Sequence, residues 1–358
     1  MRVLTTIFFA AILSAQTQTK KVVFVMTDGL RWQEVFQGVD PALLNKESGG
    51  VRDIEAMRKS YWRETAEQRR AALMPFLWSE IAAKGQIFGN REAGSDASVT
   101  NGKNFSYPGY NETLTGFADD RINSNDKNYN SNVTVLEWLH SKPTYNGKVA
   151  AFGAWDTFHW IFNAPRAGFP VNAGYDPMPM SPATPAMDLL NTLKAESPRD
   201  QAAEPMDALT FHTAFEYWKT RKPSVLFLSL GETDVWAHAG KYDEYIRAAN
   251  RVDLYLKKIW EQAQSMPEYR GVTSLVVTVD HGRGRAPVDW RSHGQKLEET
   301  KFIWMAFLGP DTKPLGERKD VSAVTQNQIA ATIAALLGED YLTAVPKAGK
   351  PIAGVVGK

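Results

Sequence analysis

The chain contains no cysteine. That excludes disulfides, thiolate metal ligands and a lipid-modified cysteine behind an export signal. It has no surplus of one charge either: 41 Lys and Arg stand against 40 Asp and Glu, a formal net charge of +1. No global basic field directs it to nucleic acid, and there is no acidic tail. Long apolar runs are missing except at the N-terminus, where Met1-Arg2 leads into the largely apolar Val3 to Leu13 and then Ser14-Ala15-Gln16. That run is too short for a comfortable membrane span and has the layout of a secretory signal peptide. Residues 1–15 are therefore expected to be an export signal. The protein is expected to be periplasmic or secreted, with no membrane anchor. Histidine is scarce, with six in 358 residues, so the positions of those six carry weight.

What the sequence has in quantity is apolar surface. With 43% hydrophobic and 11% aromatic residues it can bury a large core. Short β-branched runs alternate with helical patterns. Lys21 to Thr27, Gln86 to Asn90, Lys148 to Gly153, Ser224 to Leu230, Leu275 to Val279 and Lys301 to Leu308 are expected as strands. Helices are expected over Val133 to His140, over Met206 to Arg221, along the stripe Tyr245, Ala249, Val252, Leu256 and Ile259, and after the capping-box pattern Thr325-x-x-Gln328. This alternation predicts an α/β fold with a mostly parallel central sheet covered by helices on both faces. One catalytic domain is expected over residues 20–358. Its proline-rich stretch at 160–205 is expected to be a lid or cap insertion.

Several strands run straight into acids. Lys21 to Thr27 stops at Asp28-Gly29, with Arg31 placed to pair with Asp28 or to approach an anionic ligand. Leu275 to Val279 stops at Asp280-His281-Gly282. Ser224 to Leu230 breaks into Glu232 to Gly240, where Asp234 and His238 are four apart and share one face of a helical turn. His293-Gly294 follows in the next loop. In open α/β sheets, ligands bind beyond the carboxyl ends of the strands. Carboxylate and imidazole without thiolate suit zinc, manganese or related ions. Six ligands are too many for one open zinc site, but they suit two ions about 4 Å apart that clamp a phosphoryl group. Ser106, just ahead of a helix that Pro108 would open, is either an ordinary N-cap or the hydroxyl nucleophile of such a site.

These motifs together resemble the alkaline phosphatase superfamily, in particular its type I phosphodiesterase/nucleotide pyrophosphatase-like branch. The resemblance rests on Val25 to Arg31, Ser106-Tyr107-Pro108 leading to Thr115-Gly116, Asp234-x-x-x-His238, Asp280-His281-Gly282, His293-Gly294 and the closing Gln328 to Gly338. It implies one divalent ion, most expectedly zinc, on Asp234, His238 and His293, and a second on Asp28, Asp280 and His281. Ser106 would stand at the second ion and form a phospho-enzyme. The implied substrate is a small-molecule phosphate ester, either a diester or, alternatively, a monoester. The branch commonly has Phe-Pro-Asn-His after its nucleophile, where this chain has Tyr-Pro-Gly-Tyr. Asn125, in a loop with Asn123 and Asn128, is the candidate for the phosphate-contacting asparagine. Trp155, with Phe158 and Trp160, is the candidate wall for a second organic group. A sulfatase would need an arginine where Tyr110 stands.

Overall fold

Continuous apolar runs make strands that are buried on both faces, and such strands belong in the middle of a helix-covered sheet. A computed structural model describes residues 17–199, 204 and 206–357; the expected signal peptide lies outside them. The strands in chain order are β1 (Lys21–Thr27), β2 (Gln86–Phe88), β3 (Ser95–Ser98), β4 (Val149–Gly153), β5 (Val171–Ala173), β6 (Val225–Leu230), β7 (Thr273–Val279), β8 (Met305–Leu308), β9 (Gly316–Glu317) and β10 (Val321–Thr325). Eight of them form one sheet in the order β5-β4-β6-β1-β7-β8-β2-β9, and β3 pairs with β10 in a small second sheet. Pairing is parallel from β5 through β7. It turns antiparallel on both sides of β8.

The centre of the sheet sets the geometry of the site. β6, β1 and β7 are neighbours, and their last residues are level: Thr27 faces Leu230 on one side and Val279 on the other. Asp28, Gly231 and Asp280 therefore leave the sheet side by side. The long helix Tyr242–Ser265 buries its apolar stripe and packs on the Glu232–His238 helix that follows β6. The closing helix Ile329–Leu336 is entered through the Thr325/Gln328 capping box that the sequence announces.

Three expectations are amended. The run 301–308 is strand only from Met305, because Glu298–Lys301 winds into a 3-10 turn ahead of it. The stretch 160–205 is not simply laid over the sheet. Its β5 is the sheet's edge strand, and the helix Pro185–Glu196 packs on Asp207–Arg221. Ser106 is not ahead of its helix but the first residue of it: the helix runs Ser106–Thr115, with Phe105 as N-cap and no side-chain cap.

That helix comes in tight against the end of β7. A methyl group on Gly109 would stand 2.3 Å from the Asp280 carbonyl oxygen, a backbone atom that cannot swing aside. Gly109→Ala is therefore expected to push the helix outward, costing about 1–3 kcal/mol as overpacking does. Denaturant unfolding checks this; unchanged stability would mean that the helix can back away freely.

Candidate metal and phosphate site

Each carboxylate beyond β1 and β7 has one oxygen held by the protein and one left over. Asp280 Oδ1 accepts from the Gly29 N–H at 3.1 Å and the His281 N–H at 2.9 Å. Asp28 Oδ2 accepts from the Tyr110 hydroxyl at 3.2 Å, and that hydroxyl also meets Ser229 Oγ at 2.9 Å. The remaining oxygens, Asp28 Oδ1 and Asp280 Oδ2, are buried without a hydrogen-bond partner. Both face His281 Nε2, at 3.3 and 3.4 Å. The other ring nitrogen of His281 lies 2.9 Å from the Gly282 carbonyl. A carbonyl can only accept, so Nδ1 carries a proton, and in the neutral ring Nε2 is the nitrogen that offers a lone pair. Ser106 Oγ joins the group at 3.4 Å from the same Nε2.

These spacings suit a metal ion. A tetrahedral centre with bonds of ~2.0–2.1 Å separates its ligand atoms by about 3.3–3.4 Å. The donors are oxygen and nitrogen only, which fits zinc or manganese. Asp28, Asp280 and His281 thus form one set that could hold a divalent ion, with the Ser106 hydroxyl 3.4 Å from its imidazole.

The second set adjoins the first, as the His281 and His293 rings stack 4.0 Å apart. His238 Nε2 lies 2.9 Å from His293 Nε2 and 3.2 Å from Asp234 Oδ2. Asp234 Oδ1 lies 3.6 Å from His293 Nε2. The i,i+4 placement of Asp234 and His238 on the Glu232–His238 helix delivers both to one point, as their spacing predicts. All six residues expected as ligands are therefore gathered in two adjoining clusters. His293 Nδ1 is buried without a partner.

Electrostatics follows from the crowding. Burial, aided by the Asp28 carboxylate, raises the Asp280 carboxyl well above the usual range. Burial works against a charged His281, yet Asp280 and Asp28 outweigh it and push the imidazole up to about 9. Burial, with His281 and Arg283 nearby, pulls His293 down to about 2. Asp234 is also desolvated, but the Arg283 guanidinium and the two histidines hold it well below the ordinary carboxylate value.

The substrate-side expectations fare unevenly. Asn125 Oδ1 accepts from the Tyr107 N–H at 3.0 Å, which puts this asparagine at the amino end of the Ser106 helix with only its NH₂ left to donate. Asn128 is engaged through its carbonyl, which accepts from the Tyr107 hydroxyl at 2.6 Å. Arg31 does not serve Asp28: it is 1% exposed, and its guanidinium is taken up by Glu34, Asp40 and the Gly284 carbonyl. The arginine in the cluster is instead Arg283, which contacts Asp234 Oδ1. Trp155 packs, partly buried, on the hydrophobic core. Phe158 supports Tyr110 edge-on at 4.7 Å, and Trp160 stacks on Tyr129. The cleft that opens beside His293, about 420 Å³, is lined by Lys103, Phe105, Asn123, Gly294, Gln295 and Lys296, so its ring is Phe105 rather than Trp155. Larger clefts, such as that of about 640 Å³ around Leu254 and Trp260, contain none of the expected site residues.

No family model matches the chain, and no curated protein matches it in sequence. Solved structures do match it in architecture. Alkaline phosphatase PafA superposes with a TM-score of 0.60 over 96% of this chain and 100% of its own, at 11% identity. The lipoteichoic acid synthase LtaP from Listeria monocytogenes gives 0.56 over 92% of this chain and 74% of its own, at 13% identity. A 2-O GAG sulfatase gives 0.55 over 95% and 75%, at 14% identity. The fold is that of the alkaline phosphatase superfamily. Its members at these identities share the scaffold with this chain; the chemistry has to be argued from the residues. No helix among the described residues is long and apolar enough to cross a membrane.

A pH dependence follows for metal uptake. His281 must lose a proton to offer Nε2, and below about 9 it holds one. Zinc binding at pH 7 is therefore expected to release protons, and affinity is expected to rise with pH until about 9. Calorimetry in buffers of different ionisation enthalpy measures the release; heats independent of buffer at pH 7 would contradict it.

Proposed function

We propose that the chain is a metal-dependent phosphoric ester hydrolase that works through a phosphoserine at Ser106. The observation that carries this is the placement of Ser106 Oγ beside His281 Nε2, next to two buried carboxylate oxygens without partners. An ordinary capping serine would bond the backbone of its own helix, whereas the Ser106 hydroxyl is paired with His281 Nε2.

Divalent ions bound by the two clusters would supply the charge that ionises the serine hydroxyl and screens the phosphate oxygens. The chain's own residues do the rest. The first N–H groups of the Ser106–Thr115 helix and its dipole favour an anion at its start. Asn125 donates through its NH₂ to a phosphate oxygen. Ser106 Oγ, ionised, attacks phosphorus in line; the bond to the leaving oxygen breaks opposite, that oxygen takes up a proton from water, and the phosphoryl group, with the second substituent of a diester, stays on Ser106. Water arriving from the side of His238 and His293 then displaces Ser106 and releases the phosphomonoester when the substrate is a diester, or phosphate when it is a monoester. Glu204 lies against Gly231, the residue that follows β6.

For substrate, we favour a phosphodiester or a nucleotide pyrophosphate. The cleft beside His293 has room for a second organic group, and the Phe105 ring lies on its wall. Lys103 and Lys296 on the same wall favour the second reading, a monoester with its extra negative charge. Sulfatase chemistry has less support, because Tyr110 stands where an arginine would be needed and its hydroxyl is committed to Asp28 and Ser229. The chain's leader, as read from its sequence, would place this activity outside the cytoplasm.

One panel of assays tests the reading. Wild-type protein and Ser106→Ala are compared on an aryl phosphodiester, the matching monoester and a sulfate ester. The expected result is a higher kcat/KM for the diester, loss of several orders of magnitude in Ser106→Ala with metal content kept, and phosphate on Ser106 in quenched wild type. Full activity in the alanine variant would return Ser106 to a structural role. A clear monoester preference would move the substrate to the second reading.

A further inference from the structure

The two clusters differ in one respect that their ligand types do not reveal. Arg283 follows Asp280-His281-Gly282, and its side chain is fully buried. Nε donates to the Trp290 carbonyl at 2.8 Å and Nη2 to the Arg291 carbonyl at 2.6 Å. Nη1 is thereby aimed at Asp234 Oδ1 and contacts it. The space for this is made by a glycine: a Cβ on Gly29 would stand 2.8 Å from Arg283 Nη1 and 3.1 Å from Asp234 Oδ1. Among the described residues, no Lys or Arg side chain pairs with a carboxylate of the Asp28–Asp280–His281 cluster, and the charge His281 can carry is a proton that a metal displaces. The cluster's two occupied carboxylate oxygens are held by a phenol and by backbone N–H groups, all neutral.

We propose that the two clusters take up metal unequally, because Arg283 is a resident cation on Asp234. Asp28–Asp280–His281 fills first and tightly, whereas Asp234–His238–His293 fills second and exchanges readily. Charge gives the order. The first cluster offers two carboxylates to a divalent ion. The second offers one, and the guanidinium already balances it and repels an incoming cation at short range. Exposure acts in the same direction. Side chains of the first cluster are at most 9% exposed, while those of His238, Asp234 and His293 are 47%, 19% and 13% exposed. Buried charges are screened less by water and salt, so the enclosed pair of carboxylates attracts the ion more strongly. This inference rests on the metal-site reading above.

The test is a titration of metal-stripped full-length protein with Co²⁺ alone, followed by visible absorption and calorimetry, so that binding is read without turnover. Two resolved steps at least tenfold apart are expected. Asp280→Ala should remove the tight step, and His238→Ala should remove only the weak one. Arg283→Gln should strengthen the weak step at least tenfold, and Arg283→Lys should keep the gap. If Arg283→Gln does not fold, the wild-type titration together with the two ligand variants decides. Equal affinities, or tight binding at Asp234–His238–His293, would overturn the proposal. So would a folded Arg283→Gln with an unchanged or weaker second step, since Arg283 would then merely hold Asp234 in place. Failure to bind any ion would remove the metal-site reading itself, a result distinct from two equal steps.

Discussion

Three carboxylates cannot be crowded beside three imidazoles in a desolvated pocket unless positive charge comes with them. The rest of the molecule is arranged around that constraint. Adjacent strands β6, β1 and β7 end level, so Asp28, Asp280 and the helix bearing Asp234 emerge within reach of one another. Hydrogen bonds then fix one oxygen of Asp28 and of Asp280 and leave the other facing His281. The opposed shifts this produces, Asp280 and His281 upward and His293 downward, fall on groups that could hold a divalent ion.

Much of this was legible in the sequence because it is written in local pattern. A β-branched run that stops at Asp-Gly or Asp-His-Gly says where a strand ends and what stands there. An Asp and a His four apart say that one helical turn presents both. Neighbourhood in the sheet was not legible: nothing local says that β6 and β7 flank β1. The arginines show the limit well. Arg31 and Arg283 each lie just past an acid at a strand end. Arg31 turns away because Glu34 is three residues along the same turn, whereas Arg283 turns in because the carbonyls of Trp290 and Arg291 and the bare Cα of Gly29 leave it that path. Tyr110 could be read only as a departure from a motif, since its contact with Asp28 spans 82 residues. Trp155, an aromatic beside a strand end, packs partly buried against the core. β3 carries no strand signal, because its sequence, Ser-Asp-Ala-Ser, has no apolar alternation.

The position of Ser106 is what ties this electrostatic arrangement to the proposed reaction. Gly109 lets its helix close on the Asp280 backbone, Asn125 secures the helix's start, and Tyr110 from the same helix reaches Asp28. One short helix thus carries the hydroxyl, the anion-favouring N–H groups and a hydrogen bond to a carboxylate of the first cluster. Moving it as a unit would disturb all three together. The surrounding cleft, with Phe105, Lys103 and Lys296, belongs to the loops, and there the same scaffold can be fitted to different esters.

The central claim is that a side chain, not water, makes the first attack on phosphorus. In-line displacement inverts phosphorus each time it occurs, so two displacements restore the original configuration. The most direct measurement is the stereochemical course of hydrolysis of a phosphate ester made chiral with oxygen isotopes and sulfur. Attack by Ser106 followed by water predicts net retention. Net inversion would mean a single attack by water and would contradict the account.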